Sequence, residues 1–180
     1  MDKVKRTIPE VVSMKASGGK IKMLTAYDYP MAVLVNRCDV DIILVGDSLG
    51  MVVLGYESTI PVTLDEMVHH TKAVVRGARQ TLVIADLPFM SYQISPEQAV
   101  ASAGRLMKEA GADGVKLEGG RSVTEAVRRI VGAGIPVMGH LGLTPQSASQ
   151  LGGYKVQGRD AAAARAIIED AKALEQAGVF

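Results

Sequence analysis

Short apolar runs recur along the chain, each bounded by glycine, proline or polar turn residues and followed by a longer segment with helical spacing. Runs of this length read as buried strands. The pattern predicts strands over residues 22–25, 42–45, 81–85, 114–117 and 135–138. It predicts helices over about 29–37, from Thr63 or Leu64 onward, over 95–110, across 122–131, and over about 160–176. Thr63-x-x-Glu66, just after Pro61, is a capping-box signature. Ser95-Pro96-Glu97 supplies an N-cap with proline at the first helical position. Gly111 and Gly178 stop the helices before them, and loops run through Gly55 and through Gly158.

Strand then helix, repeated without a hairpin signal, means βα units and a parallel sheet. Such a sheet closes into a barrel or stays open and doubly wound. An open nucleotide-binding sheet carries a glycine fingerprint after an early strand. Here the nearest match, Gly132-Ala133-Gly134, precedes a strand, and no phosphate-binding Gly-Lys-Ser/Thr loop is present. A complete eight-stranded barrel needs about 200–250 residues. The sequence has 180, with five strands and a sixth beginning at Val179-Phe180. The expectation is a single barrel domain over 1–180 that covers the first five to six βα units and is cut before strand 6.

Three of the apolar runs end in a carboxylate: IILVGD at Asp47, LVIAD at Asp86 and VKLE at Glu118. In a barrel these acids fall at the C-terminal ends of strands, where catalytic groups lie. Desolvating a lone charge costs several kcal/mol, so converging acids call for a cation. Oxygen ligands with one cysteine and three histidines in the whole chain favour a hard ion, Mg2+ before Zn2+. Each residue also has a plainer reading. Asp47 and Ser48 in VGDSLG are either a metal ligand with an oxyanion-holding hydroxyl, or turn chemistry in a glycine-rich loop. Asp86 before Leu87-Pro88 is either a second ligand or a turn aspartate. Lys116 and Glu118, two apart in a strand, share a face. That face is the barrel interior, or else an exposed edge with an ion pair. His140 in MGHLGLTPQS is a structural strand-end residue or a proton-handling group. His69 and His70, adjacent on a helix, read as structural. Tyr27 is placed to shape the pocket and Asp28 to cap the next helix.

Hydrophobic residues make up 48% and charged residues 22%, with a formal net charge of +1. The chain is therefore ordered, and no basic run with interleaved aromatics points to nucleic acid. No apolar segment reaches the ~18–20 residues of a membrane span, and the charged N-terminus lacks a signal-length apolar stretch. These features predict a cytoplasmic protein. Cys38 excludes an internal disulfide and reads as a small buried apolar residue.

Taken together, TAYDY, VGDSLG, STIPVT, ADLPFM, VKLEGG, GHLGLTPQS and GGYKVQG resemble the ketopantoate (3-methyl-2-oxobutanoate) hydroxymethyltransferase family, from about Val11 to Phe180. The resemblance implies a (βα)8 TIM barrel of the phosphoenolpyruvate/pyruvate superfamily and a Mg2+ ion. It implies 5,10-methylenetetrahydrofolate as hydroxymethyl donor, a 2-oxo acid acceptor, a Mg-stabilised enolate on the way to ketopantoate, a place in pantothenate and coenzyme A synthesis, and a homodecamer. By motif, Asp47, Asp86 and Glu118 match the family's metal ligands. Asp47, Ser48, Asp86 and Lys116 match its substrate-binding groups, and His140 an active-site histidine of open, accessory role. The family's glutamate base would lie beyond Phe180, so no residue here is assigned that role. Three rivals stand beside this reading. They are a lyase or mutase of the same superfamily, a Schiff-base aldolase using Lys116, and an inactive barrel fragment serving as an oligomer subunit.

Overall fold

The computed structural model describes residues 4–180. The chain runs α1 (Ile8–Ala16), β1 (Met23–Thr25), α2 (Tyr29–Asn36), β2 (Ile42–Val45), α3 (Leu49–Val52) and α4 (Leu64–Gly77). It continues through β3 (Leu82–Asp86), α5 (Pro96–Lys108), β4 (Gly114–Glu118), α6 (Thr124–Gly132), β5 (Val137–His140), α7 (Ala148–Leu151) and α8 (Ala161–Ala177). Local chemistry sets the helix starts. Thr63 accepts from the Glu66 N–H at 3.2 Å, and the Glu66 carboxylate accepts from the Thr63 N–H at 2.7 Å, closing the capping box. Asp28, Ser95 and Asp160 each accept from the N–H three residues on, at 2.8, 3.1 and 2.8 Å. Gly178 ends α8 in the left-handed conformation, φ 101°, which a Cβ would strain.

All five strands are parallel, in the order β1-β2-β3-β4-β5. Each new strand is laid beside the last, without the reversal of a doubly wound sheet. The sheet is thus part of a barrel wall. Its two faces follow the strand period of two. Ile43, Val45, Val83, Ala85, Val115, Leu117 and Val137 point outward into a core shared with the helices. Ile42, Leu82 and Ile84 point inward, against Val11 of α1, Leu44, Met138 and Phe180. Ile42 and Leu82 open their strands, so α1 covers the N-terminal end of the interior. Arg6 and Lys5, just before α1, pair with Asp41 at 2.8 Å and Asp113 at 2.6 Å. Those aspartates in turn accept the N–H groups of Lys22 and Val83, both at 2.8 Å. After α8, the Phe180 N–H donates to the Val137 carbonyl at 3.0 Å, alongside β5.

The sequence reading differs from this in a few places. It has no α1, although Thr7-x-x-Glu10 forms a second capping box with Pro9 in the first turn. Short α3 and α7 sit inside the expected loops. Strand β5 begins at Val137 rather than residue 135. The Ile135 N–H is taken by the Ile130 carbonyl of α6, and Pro136 has no N–H to give. Strands β3 and β4 extend through their carboxylates, because Asp86 pairs with Lys116 and Glu118 with His140. Cys38 is exposed, not buried. It lies in the turn between α2 and β2, with its thiol directed at the Leu34 carbonyl (3.5 Å).

Helices α2 and α4 meet at Gly77. A Cβ there would lie 2.8 Å from the Tyr29 carbonyl oxygen and 2.8 Å from the Ala32 Cβ. Alanine improves helix propensity by at most about 1 kcal/mol, but it presses on backbone that cannot turn aside. Overpacking of this kind costs about 1–3 kcal/mol. Gly77→Ala is therefore expected to lower the midpoint of thermal unfolding, as followed by circular dichroism.

Candidate active site

The C-terminal ends of β2, β3, β4 and β5 bring together the polar residues singled out in the sequence. Asp86 closes β3, and its Oδ1 lies 2.7 Å from Lys116 Nζ on the adjacent strand. Lys116 Nζ is also 3.4 Å from His140 Nδ1, which lies 3.2 Å from Glu118 Oε1. Lys116 and Glu118 share the interior face, as their spacing predicts. Asp47 is two residues beyond β2, and its N–H donates to Asp86 Oδ2 at 3.1 Å. Asp47, Asp86, Lys116 and Glu118 are all buried, none more than 6% exposed. Ser48 joins from the side, its Oγ 2.9 Å from the Tyr27 hydroxyl. The Tyr27 carbonyl is held by His70 Nδ1 at 2.7 Å, so His70 acts structurally, as read. A Cβ at Gly46 would sit 2.8 Å from Ser48 Oγ and 3.4 Å from Asp86 Oδ2, so glycine keeps this space open.

Two residues at the centre of the site carry no role in the sequence reading. Gln146, in a one-turn 3-10 helix at Pro145–Ser147, donates through Nε2 to Asp47 Oδ2 (2.8 Å) and to the Leu87 carbonyl (3.0 Å). Its backbone N–H donates to Glu118 Oε2 at 3.0 Å. The Tyr92 hydroxyl lies 2.7 Å from Gln146 Oε1 and 3.0 Å from the Glu118 carbonyl oxygen, two acceptors for its one hydrogen, and accepts from the Glu118 N–H at 3.2 Å. The only sequence signal for Gln146 is its place in the GHLGLTPQS segment. Tyr92 has none, since its hydroxyl reaches the site from the loop before α5.

The electrostatics are unbalanced. Burial, then the neighbouring Asp86 carboxylate, pushes the Asp47 carboxyl up to about 7, against the hydrogen bond from Gln146. Burial pushes Asp86 upward too, opposed by Lys116. Burial works against the Lys116 ammonium, but Asp86, Glu118 and Asp47 outweigh it and hold its pKa above the ordinary value. Of the two aspartates, Asp86 is ion-paired with Lys116 directly, whereas Asp47 is hydrogen-bonded by the Gln146 amide and feels the Lys116 ammonium only at longer range. A carboxyl raised in the folded state binds more protons than in the unfolded chain, so its stabilising contribution is fully present below the ordinary aspartate value of about 3.9. That contribution is lost as pH rises through about 7. Metal-free protein is expected to melt at progressively lower temperature across this window, with a shallower slope in Asp47→Asn. Thermal melts in chelator at a series of pH values check this.

The donor set fits a hard divalent cation. Three carboxylates face one ammonium, an excess of two formal negative charges when all are ionised. Asp86 Oδ1 is buried with no hydrogen bond beyond its ion pair to Lys116. The side chains do not form a finished cage: among the described residues no group of three or more His, Cys, Asp or Glu has metal-site geometry. Asp47 is held by the Gln146 side chain, and Glu118 by the Gln146 N–H and by His140.

Residues 5–180 match the family model for ketopantoate hydroxymethyltransferase. A 3-methyl-2-oxobutanoate hydroxymethyltransferase of Moorella thermoacetica is 65% identical over 97% of this chain and 65% of its own length. Another, of Heliobacterium modesticaldum, is 60% identical over 98% of this chain and 64% of its own length. The chain thus spans just under two thirds of these relatives. Among solved structures, a phosphonopyruvate hydrolase complexed with oxalate and Mg2+ superposes with a TM-score of 0.70 at 11% identity, over 97% of this chain and 61% of that one. A phosphoenolpyruvate phosphomutase of Streptomyces platensis subsp. rosaceus gives 0.69 at 14% identity, over 97% and 62%. A 2,3-dimethylmalate lyase of the PEP mutase/isocitrate lyase superfamily gives 0.63 at 15%, over 94% and 59%. At such identities the structural likeness speaks for the barrel fold alone.

Proposed function

The chain belongs to the ketopantoate hydroxymethyltransferase family, and from that premise we propose that its strand-end cluster forms the 2-oxo acid site of a hydroxymethyl transfer. The substrate is 3-methyl-2-oxobutanoate, the donor 5,10-methylenetetrahydrofolate and the product ketopantoate. The observation that carries the reading is the buried excess of carboxylate over ammonium at the barrel mouth. Asp47, Asp86 and Glu118 would hold Mg2+. When bound, the ion supplies a Lewis acid that makes loss of the substrate's C3 proton tolerable. Lys116, fixed as an ammonium by Asp86, sets positive charge against the substrate carboxylate. Ser48, whose hydroxyl is oriented by Tyr27, is placed to donate a hydrogen bond to a substrate oxygen. His140, between Lys116 and Glu118, fixes the direction of the Glu118 carboxylate. Asp47, Asp86, Lys116 and Glu118 are buried, which strengthens the interactions they make.

The test is turnover of 3-methyl-2-oxobutanoate by the full-length protein. Folate-dependent product formation that stops with a chelator supports the reading. Cleavage or rearrangement of a 2-oxo acid without folate would favour a lyase or mutase. Borohydride trapping of substrate on Lys116 would favour a Schiff-base aldolase, and no turnover at all an inactive fragment or assembly subunit.

A further inference from the structure

Gln146 stands out because it grips two carboxylates that reach the site from different strands. Its side chain binds Asp47, 99 positions away, and its backbone N–H binds Glu118, 28 positions away. The residue is buried, at 7% exposure. Its amide orientation is fixed. Both Nε2 hydrogens are committed, to Asp47 Oδ2 and the Leu87 carbonyl. Oε1 faces the Tyr92 hydroxyl at 2.7 Å and Gln93 Nε2 at 3.3 Å. A flipped amide would set its oxygen against two acceptors and its NH2 against the Gln93 NH2. Among the described residues Asp47 has no other side-chain hydrogen-bond donor, whereas Asp86 has Lys116 and Glu118 has His140.

We infer that Gln146 is a positioning residue that aims the Asp47 and Glu118 carboxylates at a shared divalent cation, with Tyr92 fixing the direction of its amide. The inference rests on the 2-oxo acid site proposed above. Donors of this kind lower the freedom a ligand must give up on binding, and losing one costs about 10–100-fold in metal affinity. A glutamine that merely filled space would affect folding stability and nothing else.

The test is Mn2+ binding to the full-length protein, followed by electron paramagnetic resonance titration, so that turnover is not the readout. Gln146→Met keeps the volume and removes every side-chain hydrogen bond. It is expected to weaken Mn2+ binding by about 10–100-fold while the circular dichroism spectrum stays that of the wild type. A folded Gln146→Met protein that binds Mn2+ as the wild type does would overturn the inference. Should that variant fail to fold, Tyr92→Phe decides. It leaves the glutamine in place but removes the hydroxyl that faces its Oε1, and weaker Mn2+ binding is expected; wild-type affinity would overturn the inference. Absence of Mn2+ binding in the wild type would instead overturn the functional reading, and the inference with it.

Discussion

Lys116→Met is expected to destabilise the protein by about 3–5 kcal/mol at neutral pH and to abolish 2-oxo acid binding. Lys116 and Asp86 are a buried pair at 2.7 Å, with side chains 8% and 5% exposed. Removing one partner of such a pair leaves an uncompensated charge, which costs more than the intact pair contributes. Around Lys116 the problem is sharper, because its ammonium also faces Glu118 and Asp47. Its loss leaves three carboxylates together without a protein cation. The double variant Lys116→Met/Asp86→Asn removes the orphaned charge and is expected to recover much of the stability but none of the ligand binding. Urea unfolding of the two single variants and the double measures this. Equal stability of wild type and Lys116→Met would contradict the buried-pair account.

The second large effect concerns the aspartates. Asp47→Ala and Asp86→Ala are each expected to weaken Mg2+ and 3-methyl-2-oxobutanoate binding together, by at least about 100-fold, the upper range for loss of a mere outer partner. The two should part in stability. Asp86→Ala strips Lys116 of its partner and costs stability. Asp47→Ala removes a carboxyl that burial and Asp86 push up to about 7, so above that pH the metal-free variant is expected to be the more stable protein. Calorimetric titration with Mg2+ and substrate, beside thermal melts in chelator, separates the two roles. Unchanged Mg2+ dependence in both variants would remove the ligand assignment.

Much of this was legible in the sequence because the period of two in a strand ties position to face. Once residues 114–117 read as a strand, Lys116 and Glu118 had to share a side, and the structure places both toward Asp86 and His140. The parallel order of strands followed from the alternation of apolar runs and capped helices. What escaped was of two kinds. Strand ends are set by partners, so whether β3 includes Asp86 depends on Lys116 across the ladder. Gln146 and Tyr92 lie in irregular loops, where no period constrains direction and only tertiary contact gives a side chain its role. Helix α1 was different: its capping box was present in the sequence, and its anchoring at the barrel base comes from Val11 and the Arg6–Asp41 pair.

The measurement closest to the central claim is a crystal structure of the full-length protein with Mg2+ and 3-methyl-2-oxobutanoate. The account predicts an ion about 2.0–2.1 Å from carboxylate oxygens of the Asp47, Asp86 and Glu118 group, with the substrate carboxylate beside Lys116. An ion and substrate bound elsewhere, with no carboxylate oxygen of Asp47, Asp86 or Glu118 on the ion, would contradict it.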